Sequence, residues 1–289
     1  MDFSVEAIKT DYWMPGDSYL DRILNAVNGR ISDGDLIVVS EKALSICEGL
    51  VIDESKIKPS LLAYLIARFW MRIIWGYFLG RICHLKRENI ERLRKYPVRE
   101  GAAHKEVALK YAGFLHALMW GSEGGIDGSN LPYAYVSLPL KNPQNIAERI
   151  KQHIENKTGR RIAVMIIDTD KTYSIGGLHF THRPKPLKGI YTLFGFIAYV
   201  VGRALRLKRR STPLALAGAE IDINLALDIA EAVNKAMGSG AGLTVWDMAE
   251  RFGVDLSGVT LNMLKSVKHK PIAIVRFGGK GKILGSHKI

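Results

Sequence analysis

The sequence has few cysteines and no recognisable targeting or nucleic-acid motif. Its 289 residues include two cysteines, Cys47 and Cys83, which show no metal-ligand spacing. The amino terminus carries Asp2 and Glu6 where a signal peptide would have basic residues and an apolar core, so we expect a cytoplasmic protein. No finger or helix-turn-helix pattern occurs, and the basic stretches lack interleaved aromatic residues, so specific nucleic-acid binding is not predicted.

Acidic residues are scarce relative to basic ones, and the formal net charge is +13. A positive field attracts anionic partners, which include nucleotides, nucleic acid and membrane surfaces. The basic runs lie at residues 86–99, at residues 203–210 and in the tail from residue 280. Solvated helix faces would explain the same runs. With 47% apolar and 24% charged residues, the composition is that of a globular protein.

Residues 61–80 form the most apolar segment, and twenty such residues are long enough to cross a bilayer. Arg68 and Arg72 lie one helical turn apart near its middle, where charge is costly in a spanning helix. We therefore predict a long amphipathic helix in a core or a subunit interface, and no membrane span.

Residues 121–130 read GSEGGIDGSN, with four glycines and the carboxylates Glu123 and Asp127. Such a run predicts a loop whose backbone can approach a ligand closely. Downstream, the apolar run 162–167 predicts a buried strand that ends at Asp168, Thr169 and Asp170. Hard oxygen ligands collected in this way suit Mg²⁺ or Mn²⁺, although ordinary Asx-rich turns remain the alternative for each segment.

Other polar groups follow predicted elements. The strand 36–39 runs into Ser40 and Lys42, and Lys42 is a candidate phosphate contact or a surface lysine. Helices are predicted over 144–156 and 214–237, and a last strand over 271–275. A second glycine-rich loop at 238–242 suits phosphate binding by backbone amides. His179 and His182 are interpreted as surface residues, and Arg183 as an anion contact.

Several motifs in register resemble the coenzyme F420-0:L-glutamate ligase family over about residues 5–277. They are Pro15-Gly16-Asp17, GDLIVVSEKALSICEGLVI from Gly34, GGIDGSN from Gly124, Leu138-Pro139 with Asn142-Pro143, Asp168-Thr169, Gly202-Arg203 and Met237-Gly238. The resemblance, to an archaeal member, implies a mixed α/β fold of two domains and an intertwined homodimer. It also implies an enzyme that joins L-glutamate to a carboxylate of a deazaflavin coenzyme with GTP and Mg²⁺ or Mn²⁺.

Carried over position by position, the resemblance implies a set of site residues. Metal would bind to Asp127, Asp168 and Thr169, and the catalytic residues would be Asp127, Asp168 and Lys42. An anionic substrate would meet Arg183 and Arg203. The nucleotide would lie against Trp13, Pro15, Ser40, Lys42, Ser45, Asn130, Met237, Gly238, Ser239 and Gly240.

The implied domains are a nucleotide- and metal-binding domain at residues 1–160, a second α/β domain at 161–277 that completes the site, and a basic flexible tail at 278–289. For the general base, the sequence offers Glu123 or Asp170.

The chain departs from the family pattern at four places. Ile46 replaces a lysine expected at a phosphate, residues 170–174 replace a Gly-Arg-Pro turn, and residues 121–124 replace a cysteine, an alanine and an asparagine. About twenty to thirty extra residues also lie between Gly242 and His269, judged by the usual brevity of such connections. These departures leave two further functions open. One is a relative that ligates another amino acid or acceptor, or that binds nucleotide without ligation. The other is a basic protein that binds nucleic acid or a membrane surface.

Overall fold

The computed structural model describes residues 2–278, and of the predicted tail it includes only Gly278. The described strands are β1 (Phe3–Thr10), β2 (Leu36–Ser40), β3 (Val51–Asp53), β4 (Tyr135–Ser137), β5 (Ala163–Ile175), β6 (Leu178–Thr181), β7 (Tyr191–Thr192), β8 (Lys208–Ala217) and β9 (His269–Phe277). Seven of them form the central sheet in the order β1-β9-β2-β5-β6-β7, with β8 on the other side of β5, and β3 pairs with β4. Because β2 runs parallel to β5 while β8 and β9 are antiparallel to their neighbours, the sheet is mixed, as a mixed α/β fold predicts.

Helices cover this sheet and build a second layer of structure beside it. They are α1 (Tyr19–Val27), α2 (Glu41–Cys47), α3 (Leu61–Leu65), α4 (Gly80–Ile82), α5 (Arg87–Arg94), α6 (Val98–Tyr111), α7 (Phe114–Ala117), α8 (Pro143–Thr158), α9 (Phe196–Ala204), α10 (Ile223–Met237), α11 (Val245–Phe252) and α12 (Leu261–Lys265).

The core lies on both faces of the central strands. β2 up to Val39 and β5 up to Ile167 are apolar at every position, as expected for strands buried on both faces. On one face α8 packs Ile150 and Ile154 against the sheet, and on the other α10 packs Ile229 and Val233. The strands predicted at 36–39, 162–167 and 271–275 are confirmed.

The predicted helix at 144–156 is confirmed as α8. Asn142 caps its amino end by accepting a hydrogen bond from the Asn145 N–H (3.2 Å). Gly159 ends it in the left-handed region, at φ +68°.

Three expectations about the second half of the chain are wrong. β5 does not stop at Asp168 but continues to Ile175, and its register against β8 shifts between Asp168 and Lys171, a β-bulge. The segment 214–237 is not one helix, because the alternating residues up to Ala217 pair with β5 as β8. His179 and His182 are buried rather than on the surface.

The apolar segment near residue 61 forms one long helix, Leu61–Ile82, in which α3 continues through a π-helical stretch (Ile66–Leu79) into α4. It is the one helix among the described residues that is long and apolar enough to cross a membrane, and 33% of its apolar window is buried. Its inner side includes Met71 and Trp75, and the Trp75 indole donates to the Leu118 carbonyl (2.7 Å). The opposite side is exposed but also largely apolar, with Leu65, Phe69 and Tyr77 on it. The long helix is therefore confirmed, whereas the predicted polar face is wrong.

The predicted division at residue 160 falls between α8 and β5. Strands from both sides of this position pair in the central sheet, since β2 lies between β5 and β9. The two-domain division stays a prediction.

Candidate functional site

The candidate site is organised around the amino end of α2. β2 ends at Ser40, and Glu41 and Lys42 begin α2 at the carboxyl end of this buried strand. The neighbouring strand β5 is parallel to β2, with Ser40 opposite Ile167, so Asp168 follows at the same level of the sheet. Polar side chains placed where parallel strands give way to other structure are available to a ligand.

Lys42 holds the first acidic turn. Its ammonium donates to the Asp127 carboxylate, to the Ser129 hydroxyl (2.6 Å) and to the Ser129 carbonyl (3.1 Å). Asp127 also accepts a hydrogen bond from the Ser129 N–H (2.7 Å), so the carboxylate closes its own turn. Lys42 therefore neutralises Asp127 in this structure, and would have to exchange partners to contact a phosphate.

Arg183 holds the second acidic turn. Its guanidinium donates to Asp168 Oδ2 (2.7 Å), to both Glu41 carboxylate oxygens (2.5 Å each) and to the Gly124 carbonyl (2.8 Å). The side chain is 2% exposed. Burial alone would lower the pKa of Arg183, but the facing carboxylates of Glu41 and Asp168 outweigh it and raise the pKa. In this structure Arg183 therefore binds carboxylates of the chain itself, whereas the sequence predicts that it binds a substrate anion.

These contacts bring the two acidic turns to one place. Asp127 is bonded to Lys42, Asp168 is linked through Arg183 to Glu41, and Glu41 and Lys42 are consecutive. The glycine-rich loop also touches Arg183 directly, since a Cβ built on Gly125 would lie 2.4 Å from its Cζ. Gly125 has φ +96°, so both its conformation and this close approach require glycine.

Asp168 and Asp170 form an acidic pair in the bulge of β5. Burial raises the pKa of Asp168 to about 7, and the nearby charge of Asp170 adds to this. The pKa of Asp170 is lowered in spite of its burial, because His182 lies beside it (3.4 Å). Oδ2 of Asp170 is buried without a hydrogen-bond partner.

An excess of buried oxygen ligands with one orphaned oxygen suits a hard divalent cation. Thr169 is exposed beside Asp168, and its backbone N–H donates to that carboxylate (2.6 Å). Within residues 2–278, the single group of three acidic or other metal-ligand side chains within 4.8 Å of one another lies elsewhere, at Glu88, Asp247 and Glu250. Arg92 is paired with all three, which gives that group its counter-charge.

Asn130 joins three of the loops proposed to surround a nucleotide. It lies in the left-handed region at φ +58°, and its backbone carbonyl accepts the Tyr12 hydroxyl (2.8 Å). Its side chain accepts the Ala241 N–H (2.6 Å) and donates to the carbonyls of Ser239 (3.2 Å) and Gly242 (3.1 Å). The structure thus brings the turn after β1, the first glycine-rich loop and the second one together.

The other residues predicted to contact the nucleotide differ in their exposure and surroundings. Trp13 is buried in the main core, with its indole donating to Thr10 (3.0 Å), whereas Pro15 is exposed in the turn. Ser45 is buried within α2 and its hydroxyl has no partner. Met237 ends α10 and Gly238, Ser239 and Gly240 follow it.

Arg203 lies in α9, away from the acidic turns in its contacts. Its guanidinium donates to the carbonyls of Cys83 (2.9 Å) and His84 (3.0 Å), which fastens α9 to the end of the long helix. Arg183 and Arg203 therefore do not share one anion site in the part of the chain that the structure describes.

A cavity of about 1090 Å³ adjoins the first acidic turn. Asp127 and Ser129 are among its lining residues, and so are charged residues such as Lys58 and Arg99. Its aromatic lining residues are Tyr64, Tyr96, Trp120, Tyr133, Tyr135 and Trp246. A cavity of this size with both apolar and polar lining is typical of a site for a small organic ligand.

Under this cavity lies a buried charge network that the sequence did not reveal. Lys105 is fully buried and donates to Glu123 and to the Met119 carbonyl (2.5 Å). His104 bridges Glu123 (3.0 Å) and Glu54 (2.7 Å). Lys105 lies in a charged segment whose pattern indicates a solvated helix, and no local signal marks it as buried.

The network fixes the charge of its members. Burial would raise the pKa of Glu123, but Lys105 and His104 lower it to about 2. Burial would lower the pKa of His104, but Glu123 and Glu54 raise it to about 10. Both oxygens of Glu123 are bonded, so this residue, one of two candidates for the general base, is held as an anion inside the loop.

The sequence is similar to known proteins over most of its length. The sequence profile described as F420-0:gamma-glutamyl ligase matches residues 7–189. An uncharacterized protein of Methanocaldococcus jannaschii is 31% identical over 284 residues, which cover 93% of this chain and 94% of that protein.

Five other relatives are named coenzyme F420:L-glutamate ligase. The coenzyme F420:L-glutamate ligase of M. jannaschii is 32% identical over 139 residues, or 48% of this chain and 49% of that protein. The ligase of the same name from Methanosarcina barkeri is 25% identical over 224 residues, or 75% of this chain and 73% of that protein.

Proposed function

Because the chain belongs to the F420-0:gamma-glutamyl ligase family, we propose that it is an amide ligase that joins L-glutamate to a carboxylate of a coenzyme F420-type acceptor. We also propose that it uses a nucleoside triphosphate, GTP in the first instance, and Mg²⁺ or Mn²⁺. A cytoplasmic location and a homodimer belong to the same proposal.

The observation that carries this proposal is the meeting of two acidic turns at the start of α2. Asp127 and Asp168 come from segments far apart in sequence and are linked there through Lys42, Glu41 and Arg183. The large cavity opens beside Asp127. A cation and a triphosphate at this position would lie next to a volume suited to an aromatic acceptor.

The proposed chemistry has two steps. An acceptor carboxylate oxygen attacks the γ-phosphorus of the triphosphate, the bond to the β-phosphate oxygen breaks, and a nucleoside diphosphate leaves. The amine of L-glutamate then attacks the acyl carbon of the mixed anhydride, inorganic phosphate leaves, and the attacking nitrogen loses a proton. The protein contributes mainly positioning and charge stabilisation to such a reaction.

The side chains have distinct parts in this scheme. Asp127, Asp168 and Thr169 would hold the divalent cation, which when bound offsets phosphate charge. Lys42 pairs with Asp127 in this structure, and its ammonium would be free to bind a phosphate oxygen if Asp127 held the cation instead. Asn130 shapes the nucleotide-binding loops, since its side chain fixes Ser239, Ala241 and Gly242. Of the two candidate bases, Asp170 has a carboxylate oxygen that accepts no hydrogen bond, whereas both oxygens of Glu123 are bonded.

A second candidate function is ligation of a different amino acid or acceptor. M. jannaschii has both a protein named as the ligase and a second relative that this chain matches over nearly its whole length. Ile46 also stands where the family pattern has a lysine, and it is buried. These observations favour a branch of the family with its own substrate.

Thermal melting with nucleotide and metal tests the shared part of both candidates. GTP or ATP at millimolar concentration with Mn²⁺ should raise the melting temperature of the wild type, because a ligand that binds only the folded form stabilises it. The rise should be lost in Asp127→Asn and kept in the control Glu220→Gln, an exposed acid outside the site. Absence of any shift in the wild type would contradict both functions.

Product analysis separates the two candidates. Incubation with GTP, Mn²⁺, L-glutamate and the coenzyme F420 precursor should give a product heavier by one glutamyl residue in mass spectrometry. A melting shift without this product would leave the second candidate in place and exclude the first.

A further inference from the structure

Two neighbouring helices expose apolar side chains that the core does not use. On the long helix Leu61–Ile82, Leu65, Phe69, Ile73 and Tyr77 repeat every four residues, and each is at least 44% exposed. On α9, Ile197, Val201 and Leu205 repeat in the same way, and Phe194 precedes the helix with 68% exposure. These eight residues are called the two-helix surface. Contiguous exposed apolar residues of this kind mark an interaction site.

The two helices are packed against each other through their other sides. Trp70 meets Phe196 with ring centroids 5.5 Å apart, and Trp75 meets Tyr199 at 6.0 Å. Arg203 adds hydrogen bonds to the carbonyls at the end of the long helix. Since the two helices contact each other through these other side chains, the two-helix surface is available to bind another molecule.

Both helices lie in stretches of sequence that contain basic but no acidic residues. The sequence has no aspartate or glutamate between Glu54 and Glu88, nor between Asp170 and Glu220. The exposed basic residues near the two helices in sequence are Arg68, Arg81, Lys86, Arg206, Arg209 and Lys208, of which Lys208 pairs with Asp228 (3.4 Å). A hollow of about 320 Å³ at the end of α9 is lined by His84, Arg203, Arg206, Leu207, Arg209 and Gly202.

Apolar and aromatic side chains bordered by arginine and lysine are the chemistry of a helix that lies in a lipid interface. Its apolar face enters the boundary of the acyl chains, while the cations meet anionic headgroups. A second copy of the chain fits less well, because a symmetric contact would place the same basic residues of both copies against each other. A spanning helix fits less well too, because the inner side of the long helix is occupied by the core.

We propose that the two-helix surface binds the surface of a membrane that contains anionic lipids. The apolar residues of both helices enter the interface, and the hollow lined by His84, Arg203, Arg206 and Arg209 receives a headgroup phosphate. The proposal is independent of the ligase function, because none of the eight residues of the surface has a part in the proposed reaction.

Vesicle flotation with the full chain, without nucleotide or metal, tests the proposal. The wild type should float with phosphatidylglycerol vesicles and remain behind with phosphatidylcholine vesicles, and added salt should release it. The double variant Phe194→Glu, Leu205→Glu should reduce the vesicle affinity by at least about tenfold, since two apolar side chains are lost from the interface. Both positions are more than half exposed, so folding should be kept.

The matched control is Gln152→Glu, Asn156→Glu, which adds the same two charges to exposed positions of α8. It should float like the wild type. The variant Arg206→Ala, Arg209→Ala should weaken binding to phosphatidylglycerol by about fivefold for each arginine.

Three results would overturn the proposal. First, the wild type does not bind phosphatidylglycerol vesicles, and the double glutamate variant elutes as a smaller species in gel filtration. The surface would then be a contact between copies of the chain. Equal flotation of the wild type and that variant would show that another surface binds lipid. Protein that resists an alkaline wash of the vesicles would be inserted across the bilayer rather than bound to its surface.

Discussion

Two buried charge clusters in this protein contain the same kinds of side chains and differ in their balance. The cluster under the cavity joins Lys105 and His104 to Glu123 and Glu54, so two cations face two anions. The cluster at the start of α2 places Arg183 between Glu41 and Asp168, with Asp170 close by. The first cluster is neutral within itself, whereas the second has more carboxylates than it can neutralise.

This difference appears in the protonation of the carboxylates. In the balanced cluster the pKa of Glu123 falls to about 2, and in the acidic cluster the pKa of Asp168 rises to about 7. A balanced buried cluster fixes the loop that contains it, while an acidic one is prepared to bind another cation. Buried charge therefore marks a candidate site here only where it is uncompensated.

The largest effect is expected from breaking the balanced cluster. The substitution Lys105→Met keeps the length of the side chain but leaves Glu123 as a buried anion with one partner fewer. Removal of one member of a buried ion pair costs about 3–5 kcal/mol in the free energy of unfolding. Urea denaturation should show this loss.

The control for this substitution lies on the same helix. Lys110 is exposed in α6, and Lys110→Met should change the free energy of unfolding by no more than about 0.5 kcal/mol. Equal losses in the two variants would mean that Lys105 is not the buried partner of Glu123.

The next effect is expected in activity rather than in stability, and it comes from Asp168→Asn. Asp168 accepts a proton near neutral pH, so an uncharged amide of the same shape should be tolerated by the fold. Turnover should fall by roughly 10²–10³-fold, the usual cost of losing one electrostatic contact to the reacting groups.

The comparison would fail if Asp168→Asn unfolded as readily as Lys105→Met while its specific activity remained that of the wild type. The melting temperature without ligand and the rate of glutamate ligation, measured on the same preparation, distinguish these cases.

The last effect is a pH dependence of stability that comes from His104. Its pKa is about 10 in the folded protein, above the ordinary value of 6.5, so the folded form binds the proton more tightly than the unfolded form. This group therefore stabilises the fold fully below pH 6.5, and its contribution is lost as the pH rises to 10.

Urea midpoints measured across that window should decline less steeply in His104→Gln than in the wild type. The difference between the two proteins isolates His104 from Lys105, whose lowered pKa acts in the opposite direction. Parallel curves would show that His104 does not hold its proton in the folded state.

The sequence predicts those parts of the fold that depend on local pattern. The continuous apolar runs of β2 and β5 indicate strands buried on both faces, and the Asn142 and Gly159 caps delimit α8. The bulge in β5 could not be predicted, because it depends on pairing with β8 more than forty residues later.

The site was predictable only in its parts. The residue types and the glycine loops indicate which segments approach a ligand, and the structure shows these segments in contact through Asn130 and Arg183. Which cation pairs with which carboxylate depends on the folded chain, so the engagement of Arg183 by Glu41 has no local signature. The burial of Lys105 also depends on the folded chain and has no local signature in the sequence.

The order of strands in the central sheet has a consequence for biosynthesis. β9 lies between β1 and β2, so the two earliest strands have no direct contact with each other in the sheet. A ribosome must deliver nearly all of the described chain before β1 gains its neighbour, and both strands wait with unpaired edges until then. We expect the sheet to be completed only after β9 has left the ribosome.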